Sequence, residues 1–429
     1  MLHRALVCSL LISLGGCDGA SAPDAGSTVD AGSAVDAGSA VDAGSAVDAA
    51  PPDAGPVELP LLAVEDLEVA GAFRLPSATF GASDLNYANG VIALGATGET
   101  MFIVGHAHQQ AVAEFRIPEL VQGETLSELN MADPPLQPFV GVLDRVDNPQ
   151  AISRVTGMWL QDGALLVNGV EYYDAPGDNT HTTLVLRDAS DLAGSTVDGY
   201  FRLEGRAHAS GWFSAVPEAH REALGGAMIA GNSSGLPIIS RLSVGPTAFV
   251  FAVDDVVGGA EPIPTSPLLD YSLATPLRED LANGGGDNDL WTHLSRAVYG
   301  FVVPGTRTYA TFGHSGGHGP MGVCYKCVPE GRDAECGGYC SRDPRDYSLM
   351  YWFFDVEDLA AVRAGTMAPH EVRPYAHGPF ESPFADGRPQ MGGGAWDAER
   401  GLLYLTMLAA DREQGRYANP PVVVAYRLR

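Results

Sequence analysis

One phrase recurs along the chain after residue 57 and constrains the fold more than any other feature. In each copy an apolar strand is followed by an acidic–apolar pair and then by small residues. The acidic residue falls at Glu119, Asp191, Asp255 and Asp358, and the longest interval contains a cysteine-rich insertion at 314–346. A period of about 70 residues with strand-like content indicates that one supersecondary unit is repeated.

Most units carry four strands, and the exception lies at the end of the chain. Two short apolar strands joined by a Gly/Asp turn precede the phrase, which is typical of hairpins. A fourth strand follows in four of the units, at Gln137–Leu143, Val197–Leu203, Leu268–Leu273 and Glu371–Ala376. The fifth unit, which begins near Met391, ends after three strands, while an isolated strand, Leu67–Leu75, opens the body.

The isolated strand supplies what the last unit lacks. We therefore predict an all-β fold, a five-bladed β-propeller in which the N-terminal strand completes the last blade and leaves only short sheet edges. The third unit is degenerate, with a predicted helix at Glu218–Leu224. Six blades are the main alternative. A jelly roll or sandwich would not require a four-strand period with a displaced terminal strand.

The first 17 residues have the features of a bacterial lipoprotein signal. The apolar run Ala5–Leu14 is shorter than the ~20 residues that span a bilayer. It ends in Leu-Gly-Gly-Cys17, which resembles the lipobox, whose cysteine is acylated. The alternative is a plain signal peptide with an incidental cysteine. We expect an exported protein, lipid-anchored through Cys17 to the inner or outer membrane of a bacterial envelope, on its periplasmic or surface side.

Residues 18–56 separate this anchor from the body at 57–429. They repeat Asp-Ala-Gly-Ser-(Thr/Ala)-Val, with an aspartate at every sixth position from Asp24 to Asp48. Small residues and like charges cannot bury a core, so we expect a disordered tether.

The charge balance narrows the possible partners. The chain has 25 Lys and Arg against 53 Asp and Glu, a net charge of −28. This excess argues against nucleic acid, whose phosphates are bound by basic groups, and against docking on anionic lipid. The partners that remain are the membrane, reached through the lipid anchor, and a small-molecule, glycan or protein ligand.

Several stretches of the body resemble a group of uncharacterised secreted bacterial proteins with a propeller body. They are Met101–Glu114, Ala223–Ala227, Ile238–Arg241, Gly245–Phe249 and Asp358–Gly365. The resemblance implies architecture and export, and it carries no assigned activity.

Four cysteines lie within the insertion, at Cys324, Cys327, Cys336 and Cys340. The spacing C-x2-C-x8-C-x3-C would suit a four-thiolate zinc site. Outside the cytoplasm, however, an even set of cysteines normally oxidises, and a long loop without a core needs cross-links. We therefore predict two disulfides, with structural zinc as the alternative and the pairing left open.

Aligning the units places polar residues at equivalent positions on one face of the ring. They are His106, His108, Glu171, Tyr173, Asp174, Asn232, His314, His318 and Asp411. We interpret them as a ligand-binding rim; the alternative is that each satisfies hydrogen bonds at a strand end. His106, His108, His314 and His318, joined by Glu171 or Asp174, could hold a divalent cation such as calcium or zinc, and no other cofactor is predicted.

Two functions compete. The first, which we favour, is a non-catalytic lipoprotein that binds a ligand or partner through this rim, because no G-x-S-x-G elbow indicates a serine hydrolase. The alternative is an extracytoplasmic hydrolase or lyase acting on glycans, which requires two carboxylates in the axial pocket. Asp84, Asp147, Glu171 and Asp174 are the candidates for that pair.

Overall fold

Short strands rich in β-branched and aromatic residues alternate with Gly- and Asp-containing turns throughout the body. The computed structural model describes residues 59–174, 176–233, 243–385 and 387–429. Within these ranges the strands form five four-stranded antiparallel sheets and one two-stranded sheet. The predicted signal sequence at residues 1–17, with Cys17, and the repeat at 18–56 lie outside the described residues.

Each blade is a four-stranded meander. Strand β1 (Leu67–Arg74) precedes the first blade, which contains β2 (Ile92–Leu94), β3 (Thr100–Val104), β4 (Val112–Arg116) and β5 (Gln137–Val140). The second blade contains β6 (Arg154–Gln161), β7 (Ala164–Val170), β8 (His181–Leu186) and β9 (Val197–Arg202). The third contains β10 (Phe213–Ala215), β11 (Met228–Ala230), β12 (Ala248–Phe251) and β13 (Ser266–Leu269).

The last two blades contain the insertion and the ring closure. The fourth blade begins with β14 (Arg296–Val302) and β15 (Thr308–Gly316), continues through the inserted hairpin β16 (Val323–Tyr325) and β17 (Tyr339–Ser341), and ends with β18 (Tyr347–Asp355) and β19 (Ala376–Phe380). The fifth contains β20 (Met391–Asp397), β21 (Leu402–Met407) and β22 (Val422–Leu428). Three short helices follow strands, namely α1 (Glu218–Leu224), α2 (Val253–Val257) and α3 (Val356–Arg363).

The N-terminal strand closes the ring, as predicted. Strand β1 pairs antiparallel with β22, so that Leu67 lies opposite Leu428 and Arg74 opposite Val422. The fifth sheet therefore has the order β1-β22-β21-β20. The chain is a five-bladed β-propeller, and the described residues contain no sixth blade.

The innermost strands β2, β6, β10, β14 and β20 each contact the next one around the axis. Glycines permit this approach. A Cβ atom on Gly157 would lie 1.9 Å from the carbonyl oxygen of Gly211, and one on Gly393 would lie 2.9 Å from the Cα of Val91. This close packing is what the run Gly392–Gly394 predicts for an inner strand.

Large aromatic side chains fill the spaces within and between the blades. Trp291 and Trp352 are buried and pack in a tilted arrangement at 4.9 Å between ring centroids, and Trp212 is buried in the same core. Burial of such side chains contributes about 1.5–3 kcal/mol each and dominates the energetics of sheets this short.

Two of the predicted fourth strands are displaced. The prediction of a strand at Glu371–Ala376 is wrong, because β19 begins at Ala376. Val372 is apolar because it is buried in a loop, where its carbonyl accepts a hydrogen bond from the hydroxyl of Tyr271 at 2.7 Å. In the third blade the strand ends at Leu269 and does not extend to Leu273. No helix in the described ranges is both long and apolar enough to cross a membrane.

Candidate functional site

A cavity of about 360 Å³ opens around the propeller axis. It lies at the end that carries the loops after the second strand of each blade and the crossovers between blades, which we call the cavity face. All five blades contribute polar lining residues, among them Asn89, Arg154, Asn232, Arg296, His314 and Arg388. The volume falls within the range of small-molecule sites, about 300–1,000 Å³.

Three arginines line this cavity. Arg154 begins β6; its Nη1 donates to the carbonyl of Ala107 at 2.6 Å, and its guanidinium lies 4.8 Å from the ring centre of Tyr172. The Arg388 guanidinium lies 4.1 Å from the ring centre of Tyr347. Stacking on a tyrosine orients a guanidinium without neutralising its charge.

Arg296, the first residue of β14, lies directly opposite His314 of β15 in the strand pairing. The exposed part of its side chain faces the cavity. In the described part of the chain its guanidinium has no hydrogen bond or ion pair, and no aspartate or glutamate lines the cavity. The cavity therefore carries three positive charges without a carboxylate to balance them.

Burial and the neighbouring arginines together favour the neutral form of His314. Burial, reinforced by the charges of Arg296 and Arg388, lowers the pKa of His314 to about 3. Its Nδ1 accepts a hydrogen bond from the backbone N–H of Met391 at 3.2 Å, so the proton of the neutral ring lies on Nε2. Burial lowers the pKa of Arg296 as well, and the charge of Arg154 adds to this effect, but an arginine stays protonated at neutral pH.

Amide and hydroxyl groups of the wall are already engaged with the protein. Asn89 donates to Gln110 at 2.8 Å and to the carbonyl of Val155 at 2.6 Å. Asn232 donates to the carbonyl of Ala207 at 2.7 Å. These bonds hold the wall in place, and they leave the guanidinium groups as its main donors toward a ligand.

Two of the predicted rim residues, Asn232 and His314, line the cavity. His106 and His108 lie on the β3–β4 loop beside it, where His106 Nδ1 accepts from the backbone N–H of His108 at 3.1 Å. His318 uses both ring nitrogens, since Nδ1 donates to the carbonyl of Asn288 at 2.8 Å and Nε2 lies 2.7 Å from the Ser315 hydroxyl. Among the described residues, no histidine belongs to a group of three or more ligand atoms close enough to share a metal ion.

Glu171 and Asp174 lie together, but with Asp178 and not with the histidines. One ligand atom from each of these three side chains lies within 4.8 Å of the others. Asp174 is buried and accepts hydrogen bonds from the backbone N–H groups of Gly177 and Asp178, so it stabilises its own loop. Burial raises the pKa of Glu171, and the two neighbouring carboxylates add to the shift. Tyr173 is exposed on the same loop.

Asp411 lies away from the cavity lining. It is buried and forms a two-point ion pair with Arg74 of β1. Its role in the structure is to fix the position of β1.

The cysteine-rich insertion forms one side of the cavity. Cys324 and Cys327 are at disulfide distance, as are Cys336 and Cys340. The sulfurs of Cys324 and Cys327 lie within 3.9 Å of that of Cys340, and Cys336 does not belong to this group of three. Next to Cys340, Tyr339 lines the cavity, as does Tyr347 at the start of β18.

Sequence reasoning did not identify Arg154, Arg296 or Arg388. A usable signal was present: Arg154 and Arg296 each begin the innermost strand of a blade, and Arg388 lies three residues before another, Met391–Asp397. The chain has only 25 Lys and Arg residues, so arginines repeated at or just before the start of the innermost strands predict a positively charged propeller axis.

Comparison with known proteins gives structural similarity at low identity. The WD40 repeats of RRP9 align with 79% of this chain and 79% of that chain, at 10% identity and a TM-score of 0.29. A member of the DUF4221 family from Bacteroides vulgatus ATCC 8482 aligns over 84% of this chain and 97% of that chain, at 10% identity and a TM-score of 0.33. No protein-family model and no curated protein matches the chain. The fold assignment therefore stands on the strand pairing.

Proposed function

We propose that this protein is a binding propeller whose axial cavity takes the anionic group of a ligand, a carboxylate, sulfate or phosphate. The observation that carries the proposal is the presence of Arg154, Arg296 and Arg388 in a cavity whose described lining has no acidic residue. Guanidinium groups match the geometry of such anions and form charge-assisted hydrogen bonds with them, about twice as strong as neutral ones.

The charge of the whole chain strengthens this proposal. The chain has a net charge of −28 and therefore many carboxylates. Its described cavity lining nevertheless contains three arginines and no aspartate or glutamate. Holding like charges close together in a partly buried site costs free energy unless a counter-charge is supplied. A bound anion supplies this counter-charge. An arrangement that costs stability in the free protein and is relieved by a ligand is typical of a binding site.

Export and anchoring belong to the same proposal. The lipobox ending at Cys17 and the aspartate repeat at 18–56 support a lipoprotein held away from a bacterial membrane, on its periplasmic or surface side. The binding cavity would then be presented to ligands outside the cytoplasm.

The glycan hydrolase or lyase hypothesis has less support. It requires a pair of carboxylates flanking the scissile bond, about 5–10 Å apart. None of Asp84, Asp147, Glu171 and Asp174 lines the cavity. Binding without catalysis is therefore the function that the geometry supports best.

The test is calorimetric titration with sulfate, phosphate and acetate at constant ionic strength. We expect at least one of them to bind, and Arg296→Gln to weaken that binding about tenfold or more. Arg416→Gln is the control, because Arg416 is exposed and is not among the described residues that line the cavity. Unchanged binding by Arg296→Gln, or no binding of any anion by the wild type, would overturn the proposal.

A melting curve separates loss of binding from loss of structure. Since Arg296 has no ion pair to lose within the described residues, the Arg296→Gln variant should melt at the wild-type temperature or above it.

A further inference from the structure

Tyrosines are concentrated around the mouth of the cavity. Six tyrosines in the described ranges are at least 36% exposed, and five of them lie at the cavity face, four on loops and Tyr325 at the end of β16: Tyr87, Tyr172, Tyr173, Tyr325 and Tyr417. The sixth, Tyr375, precedes β19 at the opposite end.

Two aromatic series extend outward from the cavity wall. In the first, the ring of His106 lies 5.9 Å from that of Tyr87 and 5.3 Å from that of His108. The cavity-lining residues Ala88 and Ala107 are their neighbours in sequence. The β1–β2 segment and the β3–β4 loop thus place three aromatic rings beside the cavity, with Tyr87 and His106 packed edge to face.

The second series belongs to the disulfide-linked insertion. The ring of Tyr339, which lines the cavity, lies 4.2 Å from that of His293 and 4.9 Å from that of Tyr325. Because Tyr325 is exposed, this series connects the cavity to the outer surface of the face. Together the two series make an aromatic surface that extends beyond the cavity, which suits a chain-like ligand better than a single small ion.

We infer that the ligand is an acidic oligosaccharide, with one uronate or sulfate group in the cavity and neighbouring sugar rings against the tyrosines. The inference rests on the proposed anion site. A sugar ring has an apolar C–H face that packs on an aromatic ring, while its hydroxyls bond at the edge, so it matches amphipathic tyrosine side chains. Apolar residues also line the cavity together with the arginines, namely Val155, Leu294 and Met391. The cavity itself therefore offers both apolar contacts and hydrogen-bond donors to a sugar.

Hydrogen-bond chemistry favours a sugar over an acidic peptide. Every peptide N–H that enters a cavity needs an acceptor, whereas guanidinium groups only donate and the described lining has no carboxylate. Sugar hydroxyls both donate and accept, so they can bond to a wall that mainly donates.

The experiment compares four probes by calorimetry: galacturonic acid, its linear tetramer, a sulfated neutral tetrasaccharide and an acidic tetrapeptide. We expect one of the two acidic tetrasaccharides to bind about tenfold tighter than the monomer, and the better of the two identifies the anionic group. The double variant Tyr87→Ser/Tyr325→Ser should lose that advantage while retaining the affinity for the monomer. Leu136→Ser, exposed in the β4–β5 loop at the opposite end, is the control and should bind as the wild type does.

The outcomes separate the two proposals. If sulfate or acetate binds and Arg296→Gln abolishes that binding, but the tetrasaccharides bind no tighter than the monomer or the tetrapeptide binds best, the oligosaccharide inference fails while the anion site stands. If no anion and no saccharide binds, both fail. If the double tyrosine variant loses affinity for the monomer and for the tetramer to the same degree, the proposed extended binding surface is also contradicted.

Discussion

Arg74 on β1 and Asp411 in the β21–β22 loop form a two-point ion pair, with Nε 2.7 Å from Oδ2 and Nη2 3.0 Å from Oδ1. The two residues lie 337 positions apart in sequence, and the Asp411 side chain is fully buried. This pair holds the strand that closes the ring against the blade that it completes.

We predict that Asp411→Asn destabilises the propeller by about 3 kcal/mol, because it removes the buried charge partner of the mostly buried Arg74 guanidinium and leaves only the exposed Glu413. Urea unfolding followed by circular dichroism measures the change. Glu413→Gln is the matched control: Glu413 lies 3.8 Å from the same arginine but is 53% exposed, so the expected loss is below about 1 kcal/mol. Equal losses in the two variants would show that burial of the pair is unimportant.

The same pair predicts a dependence of stability on acid. Burial alone would raise the pKa of Asp411, but hydrogen bonds from Arg74 and Gln414 hold it below its ordinary value. A carboxyl with a lowered folded pKa binds its proton less readily when folded, so its stabilisation is complete above the unfolded pKa, about 4, and is lost as pH falls through the folded value. Between pH 6 and pH 3 the wild type should therefore lose more free energy of unfolding than Asp411→Asn. Parallel curves would contradict this assignment.

Anion binding should change the titration of His314. In the free protein, burial and the charges of Arg296 and Arg388 keep its pKa near 3. A bound sulfate would offset the two guanidinium charges, so we expect the pKa of His314 to rise when sulfate is added. Two-dimensional NMR of the imidazole signals between pH 3 and pH 7 measures this shift. His220, which is buried within α1, bonded to the carbonyl of Thr306 and not among the described cavity-lining residues, provides the reference signals.

The cysteine pairing can be read from tryptic peptides without reduction. Cleavage after Arg332 and Arg342 leaves Cys336 and Cys340 on one peptide, so their disulfide gives an internal loss of two hydrogens. The Cys324–Cys327 bond joins two different peptides, since Lys326 lies between them. A cross-link from residues 333–342 to either of those peptides would establish a different pairing, and four free thiols in this segment would revive the zinc alternative.

Packing around the axis predicts a large effect from one methyl group. A Cβ on Gly157 would lie 1.9 Å from the backbone oxygen of Gly211, so Gly157→Ala must separate two inner strands. We expect a loss of about 2–3 kcal/mol on thermal or urea unfolding. Gly141→Ala is the control, because no atom lies within 4 Å of its added methyl group. A wild-type stability for Gly157→Ala would mean that the inner strands can move apart at little cost.

The fold could be predicted because the number of strands in each repeated unit can be counted from the sequence. A four-strand period with three strands at the end and one to spare at the start leaves few closed arrangements, and helix α1 matched its predicted bounds, Glu218–Leu224. The strand predicted at Glu371–Ala376 failed because a buried loop residue such as Val372 gives the same apolar signal as a strand residue.

The site was harder to predict, because the sequence does not show how close each loop residue lies to the cavity. Three histidines at comparable positions in the sequence have different surroundings. His314 lines the cavity, and His318 is hydrogen-bonded to Asn288. His106 packs edge to face on Tyr87 beside the cavity. Arg154 and Arg296 begin the first strands of two blades and Arg388 lies just before that of a third, whereas the predicted rim residues lie near the loops after the second strands. Only the pairing of Arg296 opposite His314 shows that these two sets of positions meet.

Closure by the first strand also sets the order in which the fold can be completed. Glu68 on β1 and Arg429 at the C-terminus form an ion pair across 361 positions of sequence. A chain that is synthesised or translocated from its N-terminus exposes this strand edge first and receives its partner last. Until then the unpaired edge of β1 can pair with other strands, so the incomplete chain is open to misassembly until its last strand is available.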